Sequence, residues 1–152
     1  MKEIKIQGCI VALLSLVCFS MAIMTIMMIV EFIRMIGDPI LISEKMDILF
    51  FVIILFDYTF LSYILIKIVN CNLNGIFSVN NVKNFKKLGY GMIVLALAEE
   101  MTNISAQTYI EFNGIAIKPA AIVFFIIGLT NIYLAHVFKE GKRIKEENDL
   151  II

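Results

Sequence analysis

The chain has 152 residues, 61% of them hydrophobic, and a formal net charge of zero, with a mean hydropathy of +0.92. Soluble globular domains are only about 45–50% apolar, so this composition excludes an ordinary water-soluble fold and implies one domain solvated by lipid. A neutral balance supplies no global field for nucleic acid, and no direct contact with DNA or RNA is expected.

Four apolar runs predict membrane spans at 8–30, 48–66, 88–110 and 119–138. Each is close to the ~20 residues that cross a ~30 Å hydrocarbon core as a helix. The first run is longer than the apolar stretch of a secretory signal and has no small-x-small cleavage site before Glu31, so it is expected to stay in the membrane. Its Met21, Met24, Met27 and Met28 serve as flexible apolar filler, since no His or Cys converges on them. Cys9, Cys18 and Cys71 form no metal-ligand spacing and are expected to be free thiols. Neither a metal nor a cofactor is implied.

Residues 31–47 are predicted as the first outer loop, turning at Gly37-Asp38-Pro39, with Ser43 as the N-cap of the second helix and Glu44 and Asp47 near its positive end. That helix meets Asp57 at its midpoint. Residues 67–87 then form the longest polar interval, holding four lysines and no acid. Within it Asn74-Gly75 marks a turn, and Ser78 is expected to cap a helix with Val79, Val82, Phe85 and Leu88 on one stripe. The stripe suits either a basic amphipathic helix lying on the inner leaflet or a simple lead-in to the third span.

The outer half of the third span is polar. Glu99, Thr102, Asn103, Ala106 and Gln107 recur at helical spacing, so this face is expected to turn toward other helices. Pro119 fits the first turn of the fourth helix, where its missing N–H costs nothing. Thr130, Asn131 and Tyr133 add polar groups, and His136 falls near the inner interface.

Charge placement sets the orientation. With the amino terminus inside, the cytoplasmic segments hold Lys2, Lys5, Lys67, Lys83, Lys86, Lys87, Lys139, Lys142, Arg143 and Lys145, ten of the thirteen basic residues. Only Arg34, Lys45 and Lys118 remain outside, which is the positive-inside pattern for four spans with both termini cytoplasmic. The fold class expected is therefore an all-α integral membrane four-helix bundle. Lys2-x-x-Lys5-x-x-Gly8 and Lys83-x-x-Lys86-x-x-Gly89 share a spacing, as two parallel helical hairpins would.

Asp57, Glu99 and Glu100 fall near span centres, where an unpaired acid costs about 2.5–3.5 kcal/mol on insertion scales and counts as functional by default. No Lys or Arg lies within the spans, so the acids must be protonated, share protons, hold a cation or hydrogen-bond to Tyr58, Thr102 or Asn131. A protonated network that merely glues helices together is the competing explanation. Glu99 and Glu100 point about 100° apart. Glu99, sharing the face of Asn103, is assigned to the interior, and Glu100 is left to face a neighbouring subunit in a homo-oligomer.

Two stretches, GIFSVNNVKNFKKLGYG (Gly75–Gly91) and HVFKEGKRIKEENDLII (His136–Ile152), carry a family likeness. Through Gly75, Phe77, Ser78 and Asn81, then Phe138, Gly141, Glu146, Glu147, Asn148, Asp149 and Leu150, the chain resembles a family of small four-helix bacterial membrane proteins of unknown function. Ile151 stands where such proteins usually have Thr. The resemblance implies a bacterial inner membrane and a genetic neighbourhood shared with small helix-turn-helix regulators. It brings no activity. The functional expectation is a regulatory or interaction protein, not an enzyme, whose cytoplasmic loop and tail hold a soluble partner such as such a regulator. The alternative is a small transporter or sensor using Asp57 and Glu99.

Overall fold

In a computed structural model of the chain, the structure describes residues 2–37, 42–71, 78–102, 110–112 and 115–149. Four helices carry the fold: α1 (Lys2–Ile36), α2 (Ile42–Val69), α3 (Val79–Met101) and α4 (Pro119–Asp149). Between α3 and α4 two short strands, β1 (Ile110–Phe112) and β2 (Ile115–Ile117), pair antiparallel with Phe112 opposite Ile115. The bundle is all-α apart from this hairpin. Helices α1, α2 and α4 are each long and apolar enough to cross a membrane.

Successive helices run antiparallel, and the cross-links fix their register. Gln7 Nε2 donates to the Val69 carbonyl at 2.6 Å, while at the far end of the same pair Lys45 Nζ donates to the Ile36 carbonyl at 3.4 Å. Helix α1 packs chiefly on α2, α2 on α3, and α3 on α4, so the bundle is a row of two hairpins joined at their centre. Helix α1 turns Val11, Leu14, Cys18, Met21, Thr25 and Met28 inward at alternating steps of three and four, a narrow seam of the coiled-coil kind. Most of its other large apolar side chains remain exposed, as lipid-facing groups would be.

The core lies where α2, α3 and α4 meet, around Ile54, Leu61, Ile64, Leu88, Leu95 and Ala98. Glycine makes that meeting possible. A Cβ on Gly89 would stand 2.8 Å from the Gly128 carbonyl oxygen, and one on Gly91 would stand 2.7 Å from Leu61 Cδ2. Small residues of this kind let helix backbones approach closely where lipid supplies no hydrophobic drive. No disulfide joins Cys9, Cys18 and Cys71, as expected.

Several boundaries differ from those expected. Helix α1 continues to Ile36 and α2 already includes Ile42 and Ser43, so the first outer connection is far shorter than 31–47 and Ser43 is not a cap. Helix α3 is one continuous helix from Val79, which leaves no separate segment lying on a membrane surface. It also stops at Met101 rather than Ile110, with Thr102 in extended conformation. The predicted cap at Ser78 and the predicted helix start at Pro119 hold: Ser78 Oγ accepts from the Asn81 N–H at 3.2 Å, and α4 begins at Pro119. Lys67, Lys83, Lys86, Lys87, Lys139, Lys142, Arg143 and Lys145 belong to the end where α2 finishes, α3 starts and α4 finishes, called here the basic end.

Candidate functional site

At the end opposite the basic end, Lys118 fastens two helices. Its side chain is 1% exposed, and Nζ donates to the Glu99 carbonyl at 2.5 Å, to the Thr102 carbonyl, and to Thr102 Oγ1 at 3.3 Å. These carbonyls are the ones a helix end leaves unpaired, and a cation there also meets the negative end of the helix dipole. The backbone of Lys118 faces the other way. Its carbonyl accepts from the Ala121 and Ile122 N–H groups at 3.1 and 3.3 Å, which starts α4. Its own N–H donates to Glu100 Oε2 at 3.1 Å. One residue thus caps the end of α3 and the start of α4.

This finding corrects the expectation that no cation attends the carboxylates. Lys118, assigned to a loop from sequence, brings its ammonium to the turn that bears Glu99 and Glu100, and its backbone N–H engages one oxygen of Glu100. The available signal was a lone lysine directly before a proline at the first turn of a helix. Lys45, bonded to the last carbonyl of α1, is the same device at the same end. Arg34 pairs with Glu31 at 3.0 Å, so all three cations of that end have local partners.

The three acids do not form one cluster. Asp57, 8% exposed, packs where α2 crosses α3, and a Cβ on Gly91 would lie 3.4 Å from its Oδ1. Its Oδ2 is buried with no hydrogen-bond partner among the described residues. A groove of about 340 Å³ adjoins it, lined by Phe56, Asp57, Phe60, Lys87, Tyr90 and Gly91 among others. Glu99 stands eight residues farther along α3 than Gly91, or about 12 Å. Thr102 is at the Lys118 cap, and Asn131 Nδ2 donates to the Ile127 carbonyl of its own helix at 2.8 Å, so neither is hydrogen-bonded to Asp57. Asn103, Ala106 and Gln107 lie outside the described residues.

The second candidate region is the basic end itself. There α4 runs on past its apolar stretch to Asp149, eleven residues beyond Phe138. The Phe138 ring meets Phe85 of α3 at 4.9 Å, holding the two helices together just where their charged segments begin. Above that contact, a cleft of about 450 Å³ opens between α3 and α4. Lys83, Lys86, Lys139, Lys142 and Arg143 line it, with Val79 and Val82 as its apolar wall. Its acids are occupied: Glu146 pairs with Lys142 at 3.2 Å and Glu140 with Arg143 at 3.2 Å.

The family-like residues divide among these surroundings. Ser78 and Asn81 build the α3 cap, and Asn81 is 3% exposed, so it is a structural residue rather than a surface contact. Phe138 is half-buried against α3, and Gly141 is half-buried one turn farther along α4. Glu146, Glu147 and Asn148 are exposed on the helical extension, which also includes Asp149. Gly75, Phe77 and Leu150 lie outside the described residues, as does the Asn74-Gly75 turn.

No curated protein and no solved structure matches the chain. The family described as "Protein of unknown function (DUF2975)" matches residues 45–152, which takes in nearly all of α2, then α3, the hairpin and α4. With membrane-crossing helices and that match over most of its length, the chain is a membrane protein and belongs to the DUF2975 family.

Proposed function

We propose that the protein is a multi-pass component of the bacterial cytoplasmic membrane that holds a soluble regulator at its basic, cytoplasmic end, and that it acts by binding rather than as an enzyme. The observation that carries this is the helical extension of α4 beyond Phe138. A tail that stayed disordered would lose conformational entropy on docking, whereas a preformed helix presents its side chains already ordered. Pairs of Arg143 with Glu140 and Glu147 and of Lys142 with Glu146 support the helix along its length. Ile144, 53% exposed on that extension, supplies an apolar contact, as a helix-in-groove partner requires. The resemblance to membrane neighbours of small helix-turn-helix regulators favours such a regulator as the partner. Deleting Glu146–Ile152 should leave membrane insertion intact and release the co-purifying regulator. If the same regulator stays bound after the deletion, the proposal is wrong.

A second function, a small transporter or membrane sensor, is favoured by Asp57 alone. A buried carboxyl with one unpartnered oxygen beside a groove is where a proton or small cation would be held. On this account Asp57→Asn and Glu99→Gln abolish activity while the protein stays folded in detergent. Retained function with a higher melting temperature in both variants would reduce the acids to structural groups.

A further inference from the structure

We propose that the cleft between the start of α3 and the extension of α4 binds the phosphate headgroup of an anionic phospholipid. This goes beyond partner binding and does not depend on it. Five cations and two acids line the cleft, and the acids are already paired with Lys142 and Arg143. Lys83, Lys86 and Lys139 are left with no carboxylate partner among the described residues. By contrast, Lys45, Lys118 and Arg34 at the opposite end are all engaged locally. The uncompensated charge is therefore concentrated at one place, and it calls for an anion.

Depth selects the source of that anion. The uncharged stretch of α3 starts at Leu88 and that of α4 ends at Phe138, close to the Phe85–Phe138 contact. Lys86 and Lys139 stand within two residues of this boundary, and Lys83 and Lys142 about 6–8 Å beyond it at 1.5 Å per residue. The polar layer outside each face of the hydrocarbon core is about 5–8 Å deep, so these ammonium groups lie at phosphate level. Val79 and Val82 give the cleft an apolar wall, which suits an amphiphile better than a free ion. A volume of about 450 Å³ is also within the ~300–1,000 Å³ of small-molecule sites. Basic clefts between membrane helices are a known physical solution for holding such headgroups.

The test uses the full chain in mild detergent, with bound lipid counted by native mass spectrometry during titration with phosphatidylglycerol or phosphatidylcholine. Phosphatidylglycerol should bind in preference to phosphatidylcholine. A Lys83→Gln, Lys86→Gln, Lys139→Gln variant should bind it roughly 100-fold more weakly, at about fivefold per lysine. The corresponding arginine variant should retain binding, and Lys67→Gln, whose ammonium sits over the Tyr63 ring, should not change it. Circular dichroism checks that each variant is folded. Glycerol 3-phosphate and inorganic phosphate form the second arm, and neither should displace the lipid at equal concentration. Equal affinity for the two lipids, undiminished binding by the glutamine variant, or displacement by a soluble phosphate would overturn the proposal. Because no protein partner is present, the outcome is separate from that of the regulator pull-down.

Discussion

Gly89→Ala puts a methyl group at the tightest point of the bundle. Its Cβ would stand 2.6 Å from Ile132 Cγ1 and 2.8 Å from the Gly128 carbonyl oxygen, against 3.4 Å for ordinary contact. The isoleucine tip can move aside, but the carbonyl belongs to the α4 backbone, so α3 and α4 must separate by about 0.6 Å, the difference between 3.4 and 2.8 Å. Overpacking of this kind costs about 1–3 kcal/mol, with the upper part of the range expected where a main-chain atom is struck. Removing a helical glycine returns about 1 kcal/mol, so the net loss is about 1–2 kcal/mol. At about 2–4 °C per kcal/mol for a chain of this size, the melting temperature should fall by about 2–8 °C. The assay is thermal unfolding in detergent followed by circular dichroism. Gly8→Ala is the control, because nothing lies within 4 Å of its added Cβ and it should be neutral or stabilising. If Gly89→Ala raised the melting temperature as much as Gly8→Ala did, close backbone packing of α3 on α4 would be refuted.

Lys118→Met, which keeps the length of the side chain and removes its charge, should cost about 1.5–3 kcal/mol by uncapping α3, and an unchanged melting temperature would contradict the cap. In the extension, Glu146→Gln or Glu147→Gln should each change stability by no more than about 0.5 kcal/mol, because their ion pairs are exposed; helix content by circular dichroism checks this. Topology is checked with a membrane-impermeant maleimide on intact cells. Cys9, Cys18 and Cys71 should be protected while a cysteine placed at Ser43 or Asn113 labels, and outside labelling of Cys71 would invert the assignment.

Features set by short-range chemistry were legible in the sequence. Ser78 and Pro119 announce helix starts because hydroxyl capping and a fixed φ are local properties. The four helices and the basic end follow from hydrophobic runs and charge placement. The early stop of α3 was not legible, because it depends on Lys118, a residue sixteen positions beyond Thr102 that closes the helix from outside. The hairpin did leave a signal. Asn113-Gly114 joins the paired Phe112 and Ile115, yet the preceding apolar and polar pattern continued the α3 period and obscured it. For the site residues, sequence placed Asp57 in a helix interior but could not show that Gly91 faces it, since that juxtaposition comes from how two helices cross.

The double cap at Lys118 has a practical consequence for the loop it closes. Both ends of the stretch 103–117 are tied to one residue pair, so the bundle holds the separation of those ends whatever length of chain runs between them. Lengthening a closed loop is cheap, about 0.6 kcal/mol for each doubling. Strands β1 and β2 belong to the Lys118 end of the chain, opposite the basic end, so an epitope or a fluorescent domain can be inserted between them. It offers a handle for purification or imaging that leaves the opposite end free.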